Sequence, residues 1–416
     1  MKIGIIGGGA SGIMAAITAA NYGAEVTLLE KKDRIGKKIL ATGNGKCNFS
    51  NKMVSESDYR SQKSNIFHDY IGQFDEKRVL SFFAEQGMLT KERDGCLYPR
   101  SEQASTVLDV LRNMLHEKGI TLLTESCPDS IEKKGQGFEV RTDKKRLFFH
   151  RLILACGSFA GERKTEGRSG YDYAKMLGHR LVPVVPALVQ LRARDQEKLF
   201  KSIAGVRCES RIGLYIDNRH VATEQGELQL TDYGISGIPV FQLSRYAAYG
   251  FYHQQTVHVS IDFLPEYEEE EWKELVRKKW DSCNKSAFLE DFLLGFLNKK
   301  LNLLFIRQAG LKPQLLLGDC SFKQILQVCL QMKSWNVKLL EANPFSHAQV
   351  CAGGVSMDEV TLQLESKKTK GLFFAGEMLD VDGRCGGYNL QWAWTSGYIA
   401  GKAAAADNMT EIYEEG

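Results

Sequence analysis

The chain has 416 residues, 43% hydrophobic and 25% charged, with a net charge of +3. That length predicts two or three domains, and so small a charge argues against a nucleic-acid or anionic-membrane partner. No apolar run reaches the roughly 18 residues of a membrane span, and Met1-Lys2 leads directly into a strand, leaving no room for a signal peptide. A reducing cytoplasm is the expected home. The ten cysteines are scattered without a C-x-x-C pair, so neither zinc nor a thioredoxin-type dithiol is indicated. The eight histidines show no metal-binding spacing, and no metal is expected.

From the N-terminus, Ile3-Gly4-Ile5-Ile6 suits a buried parallel strand. Gly7-Gly8-Gly9-Ala10-Ser11-Gly12 then matches G-x-G-x-x-G. Ile13, Ala16, Ile17 and Ala20 follow at helical spacing, and Gly23 is placed to end the helix. A second strand over 24–29 leads into Glu30. In this context Gly7 permits the tight turn, Gly9 lets backbone approach a pyrophosphate, and Gly12 lets helix and strand pack closely. Glu30 can accept hydrogen bonds from an adenosine ribose. The glycine motif by itself says only that some nucleotide binds.

Residues 31–51 read as a glycine-rich cationic loop, unsuited to the core. Lys31, Lys38, Thr42, Gly43, Asn44, Gly45, Lys46, Cys47 and Asn48 are its candidate cofactor contacts, because exposed N–H groups and cations suit a phosphate or a flavin edge. Residues 75–87 and 102–118 predict amphipathic helices. Their apolar faces are Leu80 and Phe83 in the first, and Val107, Leu108, Leu111 and Leu115 in the second. Asp94-Gly95 marks a turn between short extended runs. A strand over 120–123, a hairpin from 138–140 and 147–150, and a buried strand over 152–157 follow. Ala155, Cys156 and Gly157 at the end of that strand, together with Cys127, join the candidate cofactor site. In a doubly wound sheet ligands sit at the carboxyl ends of strands, so residues 7–12, 155–157 and 375–377 are expected to converge.

Pro183 and Pro186 punctuate the chain. Residues 187–262 then hold short alternating runs, such as 212–216 and 257–261, that suit an antiparallel sheet or small barrel. From Pro265 the pattern turns helical. Acids between 266 and 271 open a helix through Trp272, Leu275 and Trp280, and further helices fit 287–298, 301–309 and 322–333. Residues 337–340 look strand-like before Pro344.

The segment from Gly371 to Ala393 points to FAD. Residues 372–375 form another buried-strand run, followed by Gly376-Glu377 and Asp380. A carboxylate there can bind the hydroxyls of a flavin's ribityl chain, which NAD lacks. Gly386-Gly387 precede Tyr388-Asn389-Leu390 and an Ala/Gly-rich helix to about residue 406. The helix N-terminus carries free N–H groups and roughly half a positive charge, a fitting neighbour for the negative edge of a reduced flavin. The expected organisation is α/β. A split FAD-binding domain covers 1–186 and 345–416, an inserted β-barrel covers 187–262 and 334–344, and a helical domain covers 263–333. No second G-x-G-x-x-G occurs, so NAD(P)H would dock transiently without a Rossmann domain of its own.

Several motifs carry a resemblance: Gly7 to Gly12, Thr42-Gly-Asn-Gly-Lys-Cys-Asn48, Gly226 to Thr231 with Gly234 to Pro239, Gly353-Gly-Val355, Glu365-Ser-Lys367, and Gly376 to Gly383 through Gly386 to Trp392. Together they resemble the bacterial flavoprotein family containing BaiN and the YhiN proteins, over residues 1 to about 402. The resemblance implies a glutathione-reductase-type FAD domain, an inserted β-barrel and a small helical domain. It also implies an FAD-dependent reductase, as assigned to BaiN for C=C bonds conjugated to a ketone in bile-acid intermediates. The chain departs from the family pattern at Ala155-Cys156-Gly157, at Gly43 to Asn48, and over Ser158–Gly170, where the common proline-containing form is missing.

The expected cofactor is noncovalent FAD. The expected reaction passes a hydride through flavin N5, from NAD(P)H to an activated C=C bond of a small molecule. Tyr388, Arg384 and Cys47 are the candidate catalytic residues, and His347 is a further candidate proton donor. Thr231–Pro239 and the loop before Gly353 are expected to supply walls for the substrate. An amine or aminoketone oxidase and a flavin redox sensor are the alternative readings.

Overall fold

The computed structural model describes residues 1–161 and 168–406. Residues 162–167, within the departing segment Ser158–Gly170, and residues 407–416 lie outside the described residues. Five strands form one parallel sheet: β1 (Lys2–Ile6), β2 (Glu25–Leu29), β3 (Thr121–Leu123), β4 (Arg151–Leu154) and β5 (Leu372–Phe374). Their order is β5–β4–β1–β2–β3, and every neighbouring pair is parallel. Ile3, Ile5, Leu28, Leu152, Ile153 and Phe374 are fully buried, as near-continuous apolar strands in a sheet covered on both faces should be. The sheet thus sets β4 beside β1 and β5 beside β4, so three glycine-bearing strand ends lie in a row.

The first helix, Ala10–Asn21, and the last, Tyr388–Ala405, pack against each other through small residues. A Cβ on Gly397 would lie 2.4 Å from the Ser11 carbonyl oxygen, and one on Gly401 would lie 2.5 Å from that of Ala15. This Rossmann-type unit comprises Met1–Val184 and Val350–Gly416.

The second compact unit, Val185–Gln349, contains a closed six-stranded antiparallel barrel. Its strands are Leu191–Ala193, Arg207–Ile216, Arg219–Leu230, Gly234–Ser236, Val257–Asp262 and Trp335–Ala342. The long hairpin turns at Asp217-Asn218, both left-handed, which these two residue types tolerate. Barrel and helices share one apolar core that runs from Ile212 and Val259 to Trp272, Phe305 and Val328. The helix Glu269–Ser282 is capped reciprocally by Glu268 and Glu271, so the acidic run serves the helix N-terminus.

Lys333 ties this unit together. Its ammonium meets the Asp262 carboxylate at 2.7 Å and donates to the carbonyls of Leu264 and Tyr267. Both side chains of the ion pair are mostly buried. Lys333→Met is therefore expected to destabilise the unit by about 3 kcal/mol, because it strands a buried carboxylate. Chemical denaturation followed by tryptophan fluorescence would measure the loss.

Three local expectations need correction. Residues 31–51 are not a simple loop: they contain the helix Lys37–Ala41 and bury Ile35, Ile39, Cys47 and Phe49. Apolar residues spaced among the cations supply that anchoring. Pro183 and Pro186 lie inside the strand Leu181–Ala187, and the boundary between the two compact units falls between them, at Val184 and Val185. The stretch 187–262 also holds two helices, Glu197–Ile203 and Ile238–Tyr252. The second has Pro239 in its first turn, where a missing N–H costs nothing. Within 287–298, only Leu289–Phe292 is α-helical. A strand that periodicity did not announce, Pro128–Lys134, extends the hairpin Gly137–Thr142 and Arg146–Phe149 to three strands.

Among the described residues no helix is long and apolar enough to cross a membrane, and no group of three or more His, Cys, Asp or Glu side chains is arranged to hold a metal ion. All ten cysteines are free.

Candidate functional site

The turn after β1 is built from close approaches. Gly7 has φ +111°, and a Cβ there would lie 2.3 Å from the Ala155 carbonyl oxygen. A Cβ on Gly8 would lie 2.5 Å from Ile35, and one on Gly12 would lie 1.8 Å from the Gly7 carbonyl oxygen. Gly9 differs. Its φ of −84° suits any residue, and among the described residues no atom beyond its chain neighbours lies within 4 Å of where its Cβ would be. Ala10 and Ser11 follow in the first helical turn, whose N–H groups have no acceptor within the helix. The protein itself thus leaves room at Gly9, on a surface where backbone donors and a helix dipole favour an anion.

Glu30 lies just beyond β2 and is buried. Its Oε2 accepts from the Gly8 N–H at 2.7 Å and its Oε1 from the Lys32 N–H at 2.9 Å. Beside it a pocket is lined by Gly7, Glu30, Lys31, Ser126, Cys127, Cys156, Gly157, Arg168 and Tyr173 among others. Cys127 Sγ lies 3.6 Å from Tyr173 Oη. Cys156 Sγ lies 3.4 Å from the Ile6 carbonyl oxygen, and burial pushes its thiol up to about 12. Gly157 is left-handed with open space at its Cβ position. The sequence reading missed Ser126, Arg168 and Tyr173. The capping box Ser169-x-x-Asp172, which opens the helix Gly170–Met176 and so fixes Tyr173, was a signal that could have found the last of them.

The second half of the site gathers around the entry to the last helix. Gly376 follows β5 with φ +76°, and its N–H donates to Ser396 Oγ at 2.8 Å. Glu377 Oε1 accepts from the Cys351 N–H at 3.0 Å, while Oε2 meets Lys38 Nζ at 2.5 Å. Asp380 lies deeper, 1% exposed, and its carboxylate accepts from the Gln62 N–H at 2.8 Å and Ser61 Oγ at 3.3 Å. Gly386 and Gly387 are both left-handed, and a Cβ on Gly387 would lie 2.5 Å from the Ser50 carbonyl oxygen. Asn389 bonds both the N–H and the carbonyl of Gly383, at 2.8 and 2.9 Å, and so pins the preceding segment to the first helical turn. Leu390 is half-buried in that turn.

The loop over 42–48 packs against this entry. Thr42 Oγ1 donates to the Ile39 carbonyl. Gly43, Asn44, Gly45 and Cys47 all have positive φ, which only the glycines and Asn44 accept readily. Lys46 is 3.4 Å from Glu102, which also pairs with Lys91. Asn48 Oδ1 accepts from the Leu97 N–H at 3.2 Å.

Of the catalytic candidates, Cys47 is fully buried, and burial raises its thiol to about 11. Tyr388 donates to the Met53 carbonyl at 3.2 Å, and burial, with Asp58 nearby, lifts its phenol to about 12. Arg384 is half-buried and its N–H donates to the Asp58 carbonyl. His347 is exposed and belongs to the second unit. The buried Trp392 and Trp394 are packing residues: their indole N–H groups donate to the carbonyls of Gly376 and Phe49.

These residues fit FAD. They offer an open glycine at a helix N-terminus, a carboxylate at the end of β2, a second carboxylate after β5 and a second helix N-terminus at a double glycine. Glu30→Ala is expected to lower FAD affinity roughly ten- to a hundredfold, the scale of one lost charge-assisted contact. Titration of apoprotein with FAD, followed by flavin fluorescence, would show it.

Comparison with known proteins agrees. The family model described as HI0933-like protein Rossmann domain matches residues 1–403. A 3-dehydro-bile acid delta(4,6)-reductase from Clostridium scindens is 43% identical over 97% of this chain and 99% of the relative. A ribosomal RNA dihydrouridine synthase from Haemophilus influenzae is 30% identical over 95% of this chain and 96% of the relative. Among solved structures, the 3-ketosteroid-delta4-(5alpha)-dehydrogenase from Rhodococcus jostii RHA1 covers 97% of this chain and 96% of its own, at 16% identity and a TM-score of 0.47. The family model's match to residues 1–403, nearly the whole length, places the chain in the HI0933-like Rossmann family.

Proposed function

We propose that this FAD-dependent oxidoreductase uses NAD(P)H to reduce a C=C bond conjugated to a carbonyl, in a small, largely apolar substrate of the steroid or bile-acid class. The observation that carries this reading is the 43% identity to a bile-acid reductase over almost the full length of both chains. FAD supplies two-electron redox chemistry when bound. Glu30 and the first-helix N-terminus would hold its adenosine and pyrophosphate. Glu377, directly after β5 and with its side chain 18% exposed, is more accessible to the ribityl hydroxyls than Asp380, which is 1% exposed. The N-terminus of the last helix would favour negative charge on the ring. The Tyr388 phenol, protonated at neutral pH in any case and pushed up to about 12 by burial, can offer its proton only by leaving the Met53 carbonyl.

A uridine in RNA is the second reading, suggested by the dihydrouridine synthase among the relatives. Both names describe reduction of a C=C bond conjugated to a carbonyl. The composition favours the small molecule: acids and bases nearly balance in residues 185–349, whereas phosphate-backbone binding relies on clustered Lys and Arg. The test is anaerobic mixing of the FAD-loaded protein with NADH or NADPH, watching flavin bleaching, then adding a 3-oxo-4,6-diene bile acid or a uridine-containing RNA. Reoxidation by the dienone with saturation of its C=C bond is expected. Reoxidation by RNA but not the dienone would overturn the substrate class, and bleaching by neither nicotinamide would overturn the donor.

A further inference from the structure

We propose that Lys38 is a positioning residue. Its ion pair with Glu377 forms a strap that joins the two separately encoded halves of the FAD-binding unit and sets how fast FAD leaves. The proposal rests on FAD occupying this unit and is independent of the choice of substrate.

The two partners are 339 positions apart, yet the backbone at each is anchored. Lys38 lies on the helix Lys37–Ala41, whose preceding residue Gly36 is left-handed. The Gly36 N–H donates to the Gly8 carbonyl at 2.8 Å, and a Cβ on Gly36 would lie 2.2 Å from Leu108. Ile39, next in the helix, is buried. Lys38 is therefore fixed relative to the glycine turn after β1. Glu377 is fixed through Gly376, whose N–H binds Ser396 and whose carbonyl receives the Trp392 indole N–H.

Each carboxylate oxygen of Glu377 has its own donor. The Cys351 N–H holds Oε1 at 3.0 Å, and Lys38 holds Oε2 at 2.5 Å. Burial, reinforced by the neighbouring Glu377 carboxylate, raises the Cys351 thiol to about 12, so no negative charge from that thiol competes for Lys38 at neutral pH. The pair thus links the segment after β2 to the segment after β5, outside the carboxyl ends of the strands, where nucleotides bind in such sheets. The Glu377 side chain is 18% exposed and that of Lys38 is 46% exposed, so the link is reachable by solvent ions and should respond to salt. Held on both oxygens, Glu377 would stay at the strand end, where it could accept from a flavin chain, instead of swinging into water.

The test is the rate of FAD release from the reconstituted holoprotein on dilution, read as recovery of flavin fluorescence, at low and high salt. The proteins are wild type, Lys38→Met, Lys38→Arg, Glu377→Gln and the double variant Lys38→Met/Glu377→Gln. Lys38→Met and Glu377→Gln are each expected to speed release about fivefold at low salt. The double variant should be no faster than the faster single, Lys38→Arg should stay within about twofold of wild type, and salt should bring wild type toward Lys38→Met. Unchanged release in Lys38→Met, or single effects that multiply in the double variant, would overturn the strap. If Lys38→Met fails to fold, a wild-type release rate indifferent to salt overturns it equally. A wild type that takes up no FAD would overturn both the strap and the cofactor reading.

Discussion

Gly9→Ala is expected to leave the melting temperature of the apoprotein essentially unchanged and to weaken FAD binding about ten- to a hundredfold, whereas Gly12→Ala is expected to damage both. At Gly9 the backbone is ordinary, and among the described residues no atom beyond its chain neighbours lies within 4 Å of the added methyl. Only a bound group would meet it. At Gly12 the added carbon would lie 1.8 Å from the Gly7 carbonyl oxygen, which is backbone and cannot swing aside. The turn must open, at about 3 kcal/mol, and the pyrophosphate platform opens with it. Thermal melts with and without FAD, alongside fluorescence titration, separate the two effects. Equal loss of apo stability in both variants would contradict this reading of the turn.

Gly397→Leu should be the more damaging change to the fold. The first and last helices approach almost backbone to backbone, and even a Cβ at Gly397 would lie 2.4 Å from the Ser11 carbonyl oxygen and 3.0 Å from Met14. A branched side chain there must push the helices apart. The expected cost is about 3–5 kcal/mol, with loss of FAD binding because Ser11 belongs to the pyrophosphate turn. Gly72→Ala is the control: its nearest contact is an ordinary 3.7 Å to the Phe67 carbonyl oxygen, and it should stay within about 0.5 kcal/mol of wild type. Urea titration of the three proteins would rank them.

The features that sequence revealed are short-range ones. A strand, a glycine turn, a helix and Glu30 lie within 30 residues of the start, and each follows from backbone sterics or apolar period. The β5 segment and the double glycine before the last helix were legible for the same reason. The barrel was legible as alternation, but the helix Ile238–Tyr252 was hidden because its opening, Gly234-Ile-Ser-Gly, is strand-like and indeed starts as the strand Gly234–Ser236. Strands of two residues, such as Tyr59–Arg60 against Asp382–Gly383, are too short to show any period. Pairings across the insertion were invisible in principle. Nothing near Lys38 in sequence points to Glu377, and nothing near Ser50 points to Gln391, whose Oε1 it binds at 2.6 Å.

The central claim is that the FAD-loaded protein passes two electrons to a C=C bond conjugated to a carbonyl. Its most direct test is a single turnover. Holoprotein is reduced anaerobically with one equivalent of reductant, the 3-oxo-4,6-diene bile acid is added, and flavin absorbance and product mass are followed together. The account predicts return of the oxidised flavin spectrum without oxygen and a product heavier by two hydrogens in equal amount. A flavin that stays reduced until air is admitted, with peroxide formed and the diene intact, would contradict it.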